Sequence, residues 1–282
     1  MRICKRIGLG ALLLALAAAG VVAYAHWVEP RMLTVRTLSV ETITPIRPCR
    51  VVFFTDTHFG ALYGGENAGA IADKINALDA DLVVFGGDLF DNYARDKESL
   101  DLDALRRELG RIQAKAGKFA VWGNHDYGGG AARIYADFLA SCGFEVLNDE
   151  SRALPGYGIS IIGYDDALLG YTDPSLYAVQ NEGFSLVAAH EPVIAQRLDG
   201  TGEQFVLTGH THGGQVWLPF LTARILPPGA GAFVKGLYTA EDLGTDRPVQ
   251  MYTSSGIGMT KYPLRLGNPP EIVAIDFTGP GA

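Results

Sequence analysis

The chain has 282 residues, 48% hydrophobic and 19% charged, which suits one large domain with a full core better than two small ones. Its 23 basic and 31 acidic residues leave a formal net charge of −8, which argues against general nucleic-acid binding; small phosphorylated substrates stay open, because bound metal can outweigh the global field. Cys4, Cys49 and Cys142 are far apart and form no C-x-x-C pair, so neither a zinc knuckle nor a disulfide framework is indicated, although Cys49 and Cys142 could pair in an exported domain.

Arg2, Lys5 and Arg6 precede an uncharged apolar run over residues 7–28. Roughly 20 helical residues cross the hydrocarbon core of a bilayer, and Tyr24 and Trp27 fall where amphipathic rings favour the headgroup layer. Residues 1–30 are therefore expected to be a single-pass anchor in the cell (inner) membrane. The basic start places residues 31–282 on the extracytoplasmic side. Ala23-Tyr24-Ala25 also has the small-x-small form of a signal-peptidase site, so export after cleavage is the alternative; the length of the run favours the anchor. His26 follows the run and is expected at the membrane interface beside Trp27.

Beyond residue 30 the apolar runs 51–54, 82–85, 119–122, 184–189 and 205–207 are short and rich in Val and Phe, as buried strands are. Helical patterns lie between the first three and after the third, over 68–78, 102–113 and 131–142. Strand–helix alternation predicts an α/β sheet with functional residues beyond the carboxyl ends of its strands. Runs 158–162, 250–254 and 272–277 lack intervening helices and suggest a second, more antiparallel sheet. Two sheets between helical layers is the predicted architecture.

Each of the five runs ends in a polar cluster: Thr55-Asp56-Thr57-His58, Gly86-Gly87-Asp88, Gly123-Asn124-His125-Asp126, His190, and Gly209-His210-Thr211-His212. Asp56 and His58 would share a face of an extended strand, as would His210 and His212, and could point at common ions. Asp88 has two carboxylate oxygens and could bridge two of them. A lone Asp after a strand is more often a cap or turn residue, and a lone His is often a core residue. Clusters that together use five of the chain's six histidines are poorly explained that way. Mixed carboxylate, imidazole and amide ligation suits two divalent ions, with Mn placed first and Fe, Zn or Ni as alternatives.

This ordered set resembles the calcineurin-like metallophosphoesterase superfamily over residues 50–277, nearly the whole soluble part. The resemblance implies a four-layer αββα sandwich of two mixed sheets. It also implies one metal on Asp56, His58, Asp88 and His212 and a second on Asp88, Asn124, His190 and His210. Such a pair would share a hydroxide that attacks phosphorus in line. His125 would then be the acid or electrostatic partner of the leaving group, with Asp126 orienting it and raising its pKa. Arg265 resembles a basic position near the end of membrane-associated members, which implies a phosphate contact; an exposed surface arginine is the alternative.

Departures from the family's patterns narrow the subclass. Asn92-Tyr93 follows Asp91, and Asp126 stands where protein Ser/Thr phosphatases carry glutamate, so protein dephosphorylation is not expected. Asp91 occupies the tyrosine position of purple acid phosphatases. Gly213-Gly214-Gln215, Gly256-Ile257-Gly258 and the N-terminal segment look closer to bacterial membrane-associated phosphodiesterases, among them cell-envelope enzymes and hydrolases of UDP-diacylglucosamine. Ile194 breaks the H-E-x-x-H pattern begun at His190, and neither a G-x-S-x-G turn nor a phosphate-binding P-loop occurs. The expected activity is hydrolysis of a phosphodiester or pyrophosphate bond in a small-molecule, lipid or cell-envelope substrate, with no protein partner inferred. The rival class is a membrane-tethered metal-binding protein without turnover. Finally, Val216, Trp217, Leu218, Phe220, Leu221, Ile225 and Leu226 crowd around Pro219 just after the last expected ligand. They either pack under the C-terminal sheet or form an apolar lip facing the bilayer or a substrate's acyl chains.

Overall fold

A computed structural model describes residues 2–173, 175 and 183–280. Helix α1 (Arg2–Ala23) takes up the apolar N-terminal run and continues through a wide turn at Tyr24–Val28 and a tight one at Glu29–Arg31. Strands β1 (Thr34–Glu41) and β2 (Cys49–Phe54) follow, then α2 (Ala68–Asn76), β3 (Leu82–Phe85), α3 (Tyr93–Asp96) and α4 (Leu102–Gly110). Next come β4 (Gly117–Ala120), the single turn α5 (Asn124–Gly128), α6 (Tyr135–Ser141) and β5 (Glu145–Val146). The second half runs β6 (Glu150–Leu154), β7 (Ile159–Gly163), β8 (Phe184–Ala188), α7 (Ile194–Arg197) and β9 (Glu203–Thr208). It closes with β10 (Gly236–Tyr238), α8 (Ala240–Leu243), β11 (Val249–Thr253) and β12 (Glu271–Thr278).

Alternation along the strands builds the layers. Val51, Phe53 and Val84 face Ile161, Leu186 and Phe205 of the opposite sheet. Their neighbours Val52, Phe54 and Val83 face the other way, onto Ile71, Leu105 and Leu139 of α2, α4 and α6. On the far side of the second sheet, Val187, Val206 and Met251 meet Ile194, Leu198 and Leu243. The fold is thus a four-layer αββα sandwich, with a thin outer layer of one-turn helices and loops over the second sheet. Cys49 and Cys142 are both buried and free.

The first sheet has the order β1-β12-β2-β3-β4-β5 and the second β10-β11-β9-β8-β7-β6. Two sequence-based expectations need correction. The run at 272–277 belongs to the first sheet, where β12 pairs parallel with β1 and antiparallel with β2. Ile272 to Ile275 are buried on both faces, which a central position satisfies and an edge does not. The second sheet is also mostly parallel: β7 with β8, β8 with β9, and β9 with β11. Parallel pairing needs a crossover, and between β8 and β9 a loop with the one-turn α7 supplies it, so the lack of a helical pattern there did not imply antiparallel pairing.

Register brings the strand ends to one rim. Phe54 pairs with Phe85 and Phe85 with Ala120, so β2, β3 and β4 release the chain side by side. In the second sheet Ala188 pairs with Leu207 and Thr208 with Thr253.

Candidate metal centre

The loops leaving that rim are stitched across the two sheets. The amides of Asp56 and His58 donate to the carbonyls of Gly87 and Asp88, both at 3.0 Å, and Gly258 donates to Asp56 at 2.6 Å. The His210 amide donates to both carboxylate oxygens of Asp56 at 3.1 Å. The strands end at Phe54 and Thr208, before either D-x-H or H-x-H begins. Strand alternation is therefore not what aims those pairs. Asp56, His58, Asp88, His210 and His212 all take positive φ, between 43° and 67°. Such backbone costs on the order of 1–3 kcal/mol per non-glycine residue and persists only where its surroundings over-determine it. Close approach explains two of the glycines. A methyl on Gly209 would lie 2.2 Å from Asp56 Oδ2, and one on Gly123 would lie 2.3 Å from Asp88 Oδ1.

The side chains so placed converge. Asp88 Oδ2 lies 3.3 Å from His58 Nε2 and 3.1 Å from His190 Nε2. Asp56 Oδ1 lies 3.5 Å from His212 Nε2 and 3.9 Å from both His58 Nε2 and His190 Nε2. His58 and His212 set their Nε2 atoms 3.0 Å apart. All five residues are buried. His190 and His210 are neighbours too, with ring centroids 5.1 Å apart. Asn124 opens α5 with its Oδ1 buried and unpartnered.

Electrostatics and tautomers suit cations here. Burial disfavours the Asp88 carboxylate, yet the rings of His190 and His58 hold its pKa well below the usual range. Burial likewise opposes a charged His58, but Asp56, Asp88 and Asp91 raise its pKa well above normal, and Asp88 and Asp56 do the same for His190. Protons on those rings thus balance carboxylates where a cation could do so. His210 is pushed down to about 4 by burial and by His190, which leaves its ring neutral. The Nδ1 of His190 meets the Gly86 carbonyl at 2.8 Å, and the Nε2 of His210 meets the Pro228 carbonyl at 2.7 Å. A carbonyl only accepts, so each of those nitrogens carries a hydrogen, and the opposite one is left to ligate, on His190 once a cation replaces its proton. Buried carboxylates, neutral imidazole nitrogens and an orphan amide oxygen together fit divalent cations of the Mn, Fe, Zn or Ni type.

Three residues around the centre play parts the sequence did not indicate. His125 is expected to lean on Asp126, but its Nδ1 donates to the backbone carbonyl of Asp91 at 2.6 Å, with the Asp91 carboxylate 3.7 Å away. Asp126 is buried and points elsewhere. Its carboxylate accepts from the amides of Asp88 (2.9 Å), Leu89 (3.0 Å) and Gly123 (3.0 Å), clamping the Asp88 loop to the Asn124 turn. Asp91, missed as a functional residue, lies between His58 (3.5 Å) and His125 and is itself held by Arg95 at 2.8 Å. Its only sequence signal is its place three residues beyond Asp88.

Arg265 also departs from expectation, being neither exposed nor open to a phosphate. It is fully buried, and its five N–H groups are taken by the carbonyls of Gly258, Ser255 and Asn268 at 2.6–3.0 Å. Nη2 also lies 3.3 Å from His212 Nδ1. Burial pulls the guanidinium down to about 10, so it remains a cation at neutral pH. Burial, His58 and this arginine keep the His212 ring's pKa well below normal.

A family model described as calcineurin-like phosphoesterase matches residues 49–214. The chain is 32% identical over 266 residues to the uncharacterized metallophosphoesterase YkuE of Bacillus subtilis, covering 92% of this chain and 90% of that one. It is 26% identical over 267 residues to a Bos taurus transmembrane protein with metallophosphoesterase domain, covering 88% of this chain and 57% of the relative. Relatives from Campylobacter jejuni, Caenorhabditis elegans and Helicobacter pylori are spanned over 48–63% of their length, and one from Aquifex aeolicus over 97%. Among solved structures, a Pseudomonas putida nuclease MPE aligns with 18% identity and a TM-score of 0.36, over 76% of this chain and 80% of that one.

Proposed function

From the premise that the chain belongs to the calcineurin-like phosphoesterase family, we infer that this metal-dependent phosphoesterase holds two divalent ions and hydrolyses a phosphodiester or pyrophosphate bond in an amphipathic cell-envelope substrate. Asp56, His58, Asp88 and His212 would hold one ion. Asp88, Asn124, His190 and His210 would hold the other, with Mn placed first. The observation that carries this reading is the position of Asp88 Oδ2, within 3.3 Å of a histidine from each set. Divalent cations held by these residues would supply Lewis-acid chemistry, namely a lower pKa for bound water and charge neutralisation at phosphoryl oxygens.

The chain's own groups do the rest. His125 keeps a hydrogen on Nδ1 for the Asp91 carbonyl, which leaves Nε2 to carry a proton to the departing oxygen. The Asp91 carboxylate lies 3.7 Å from the same Nδ1, on the side of the ring away from the nitrogen that faces the leaving group. Asp126 and Arg265 position ligands without touching substrate.

Residues 1–30 act as the anchor and residues 31–282 as the catalytic domain, on the extracytoplasmic side of the inner membrane. Among the described residues, the helical stretch Arg6–Arg31 is long and apolar enough to cross a membrane. Retention of the anchor is favoured by its base: Ala25 is buried, and its carbonyl accepts from the Arg265 amide at 2.9 Å. Cleavage after Ala25 would give up that bond.

The test uses full-length protein in detergent, stripped by chelator and reloaded with Mn, Fe(II), Zn or Ni. Hydrolysis of bis(p-nitrophenyl) phosphate is measured first, then a panel of phospholipids, nucleotide-sugar lipids and cyclic nucleotides. Metal-restored turnover with preference for a pyrophosphate or phosphodiester lipid is expected. Metal binding without turnover on any substrate would assign the chain to tethered metal binding instead.

A further inference from the structure

Just past the centre, the structure exposes apolar side chains. Phe220 is 93% exposed, Ile225 62%, and Trp217, Leu218 and Leu221 between 41% and 45%. Burying one such side chain is worth about 1.5–3 kcal/mol, so a cluster left in water marks a contact surface. The loop is fixed on the domain. The Trp217 amide donates to the Leu266 carbonyl at 2.7 Å and the Leu266 amide donates to the Gln215 carbonyl at 3.1 Å, while Leu218 braces the loop internally by donating to Thr222 Oγ1 at 2.8 Å. The sequence left open whether these residues pack inside; they form an outward lip.

The segment that holds the lip also holds the base of α1. His26 Nδ1 meets the Pro263 carbonyl at 2.7 Å, the Arg265 amide donates to Ala25, and the Asn268 amide donates to Glu29 Oε1 at 2.6 Å. Residues 262–268 therefore carry the lip on one side and the helix exit on the other. The charge pattern fits the same surface. No Asp or Glu occurs between Glu203 and Glu241 or between Asp246 and Glu271, in a chain with 31 of them. Arg224 and Lys261 stand exposed in those stretches, and Lys235 lies over the Trp217 ring at 5.6 Å.

We propose that the lip at residues 217–225 is a second membrane contact, seated at the boundary between headgroups and acyl chains of an anionic bilayer and rimmed by Arg224, Lys235 and Lys261. Apolar side chains flanked by basic ones bind that boundary through buried area plus attraction to anionic lipid. The inference rests on α1 spanning the same bilayer. Two attachments joined through residues 262–268 fix the domain's orientation and hold the metal centre at the lipid surface. An amphipathic substrate then reaches the site without leaving the membrane.

Tryptophan quenching by brominated lipid tests this on the full chain, reconstituted in vesicles of phosphatidylethanolamine and phosphatidylglycerol. Trp122 is buried, so Trp27→Phe leaves Trp217 as the exposed reporter and Trp217→Phe leaves Trp27. In brominated vesicles the Trp27→Phe protein should lose about a third or more of its emission, with little loss once Trp217 is also replaced. Quenching of Trp27 without quenching of Trp217 would overturn the second contact while leaving the anchor standing. Quenching of neither would overturn both. A Trp217 shielded from brominated lipid and from aqueous acrylamide alike, with Phe220→Cys chains crosslinking in pairs, would assign the lip to a second copy and overturn the proposal.

Discussion

Asp126→Ala separates a clamp on the Asp88 loop from the tuning of His125 that adjacency in the chain suggests. The carboxylate accepts from three buried amides, those of Asp88, Leu89 and Gly123. Each buried donor left without an acceptor costs about 1–3 kcal/mol, and water entering the small cavity would recover part, so a loss of about 3–6 kcal/mol is expected. At roughly 2–4 °C per kcal/mol for a domain of this size, the unfolding midpoint should fall by about 6–24 °C. Asp126→Asn keeps one acceptor oxygen and should fall between the alanine variant and wild type. The Asp88 loop would loosen as well, so metal content should drop with stability. Thermal unfolding by circular dichroism, paired with elemental analysis of the same samples, reads both effects. If Asp126 instead tuned His125, both variants would melt within about 1 kcal/mol of wild type with full metal. Their defect would then be confined to the pH–rate profile, and that result would refute the clamp.

His125→Ala should keep its metal and lose about 10²–10⁴ in rate on alkyl leaving groups, with a smaller loss on nitrophenyl ones that need less protonation. Equal losses on both would place His125 outside proton delivery. Arg265→Lys replaces five donors with three in a fully buried site and should destabilise by about 2–4 kcal/mol, read by thermal melts. The folded fraction should keep its KM, whereas an arginine that binds phosphate would show a KM raised tenfold or more.

The candidate site was legible because ligand-type residues stand at the ends of apolar runs, and parallel pairing of those runs aligns their ends. Phe54, Phe85 and Ala120 are cross-strand neighbours, so the loops holding Asp56, Asp88 and Asn124 had to meet. What stayed hidden depends on direction more than on residue type. His125 and Asp126 are adjacent on a one-turn helix, where successive side chains diverge by about 100°, so adjacency could not make them partners. Asp91 reaches His125 chiefly through a backbone carbonyl, which no side-chain pattern records. Arginine is rarely buried, and nothing in residues 262–268 announces that Arg265 would be enclosed by carbonyls. The second sheet was misread because loop crossovers leave no periodic signal, whereas helices such as α2 and α4 do.

The central claim is most directly tested by metal content per chain in wild type and Asp88→Asn, measured alongside hydrolysis of bis(p-nitrophenyl) phosphate. Sharing of Asp88 between the two ligand sets predicts two divalent ions in the wild type. In the variant it predicts loss of at least one ion and of most turnover. Unchanged metal content with normal turnover in Asp88→Asn would contradict it.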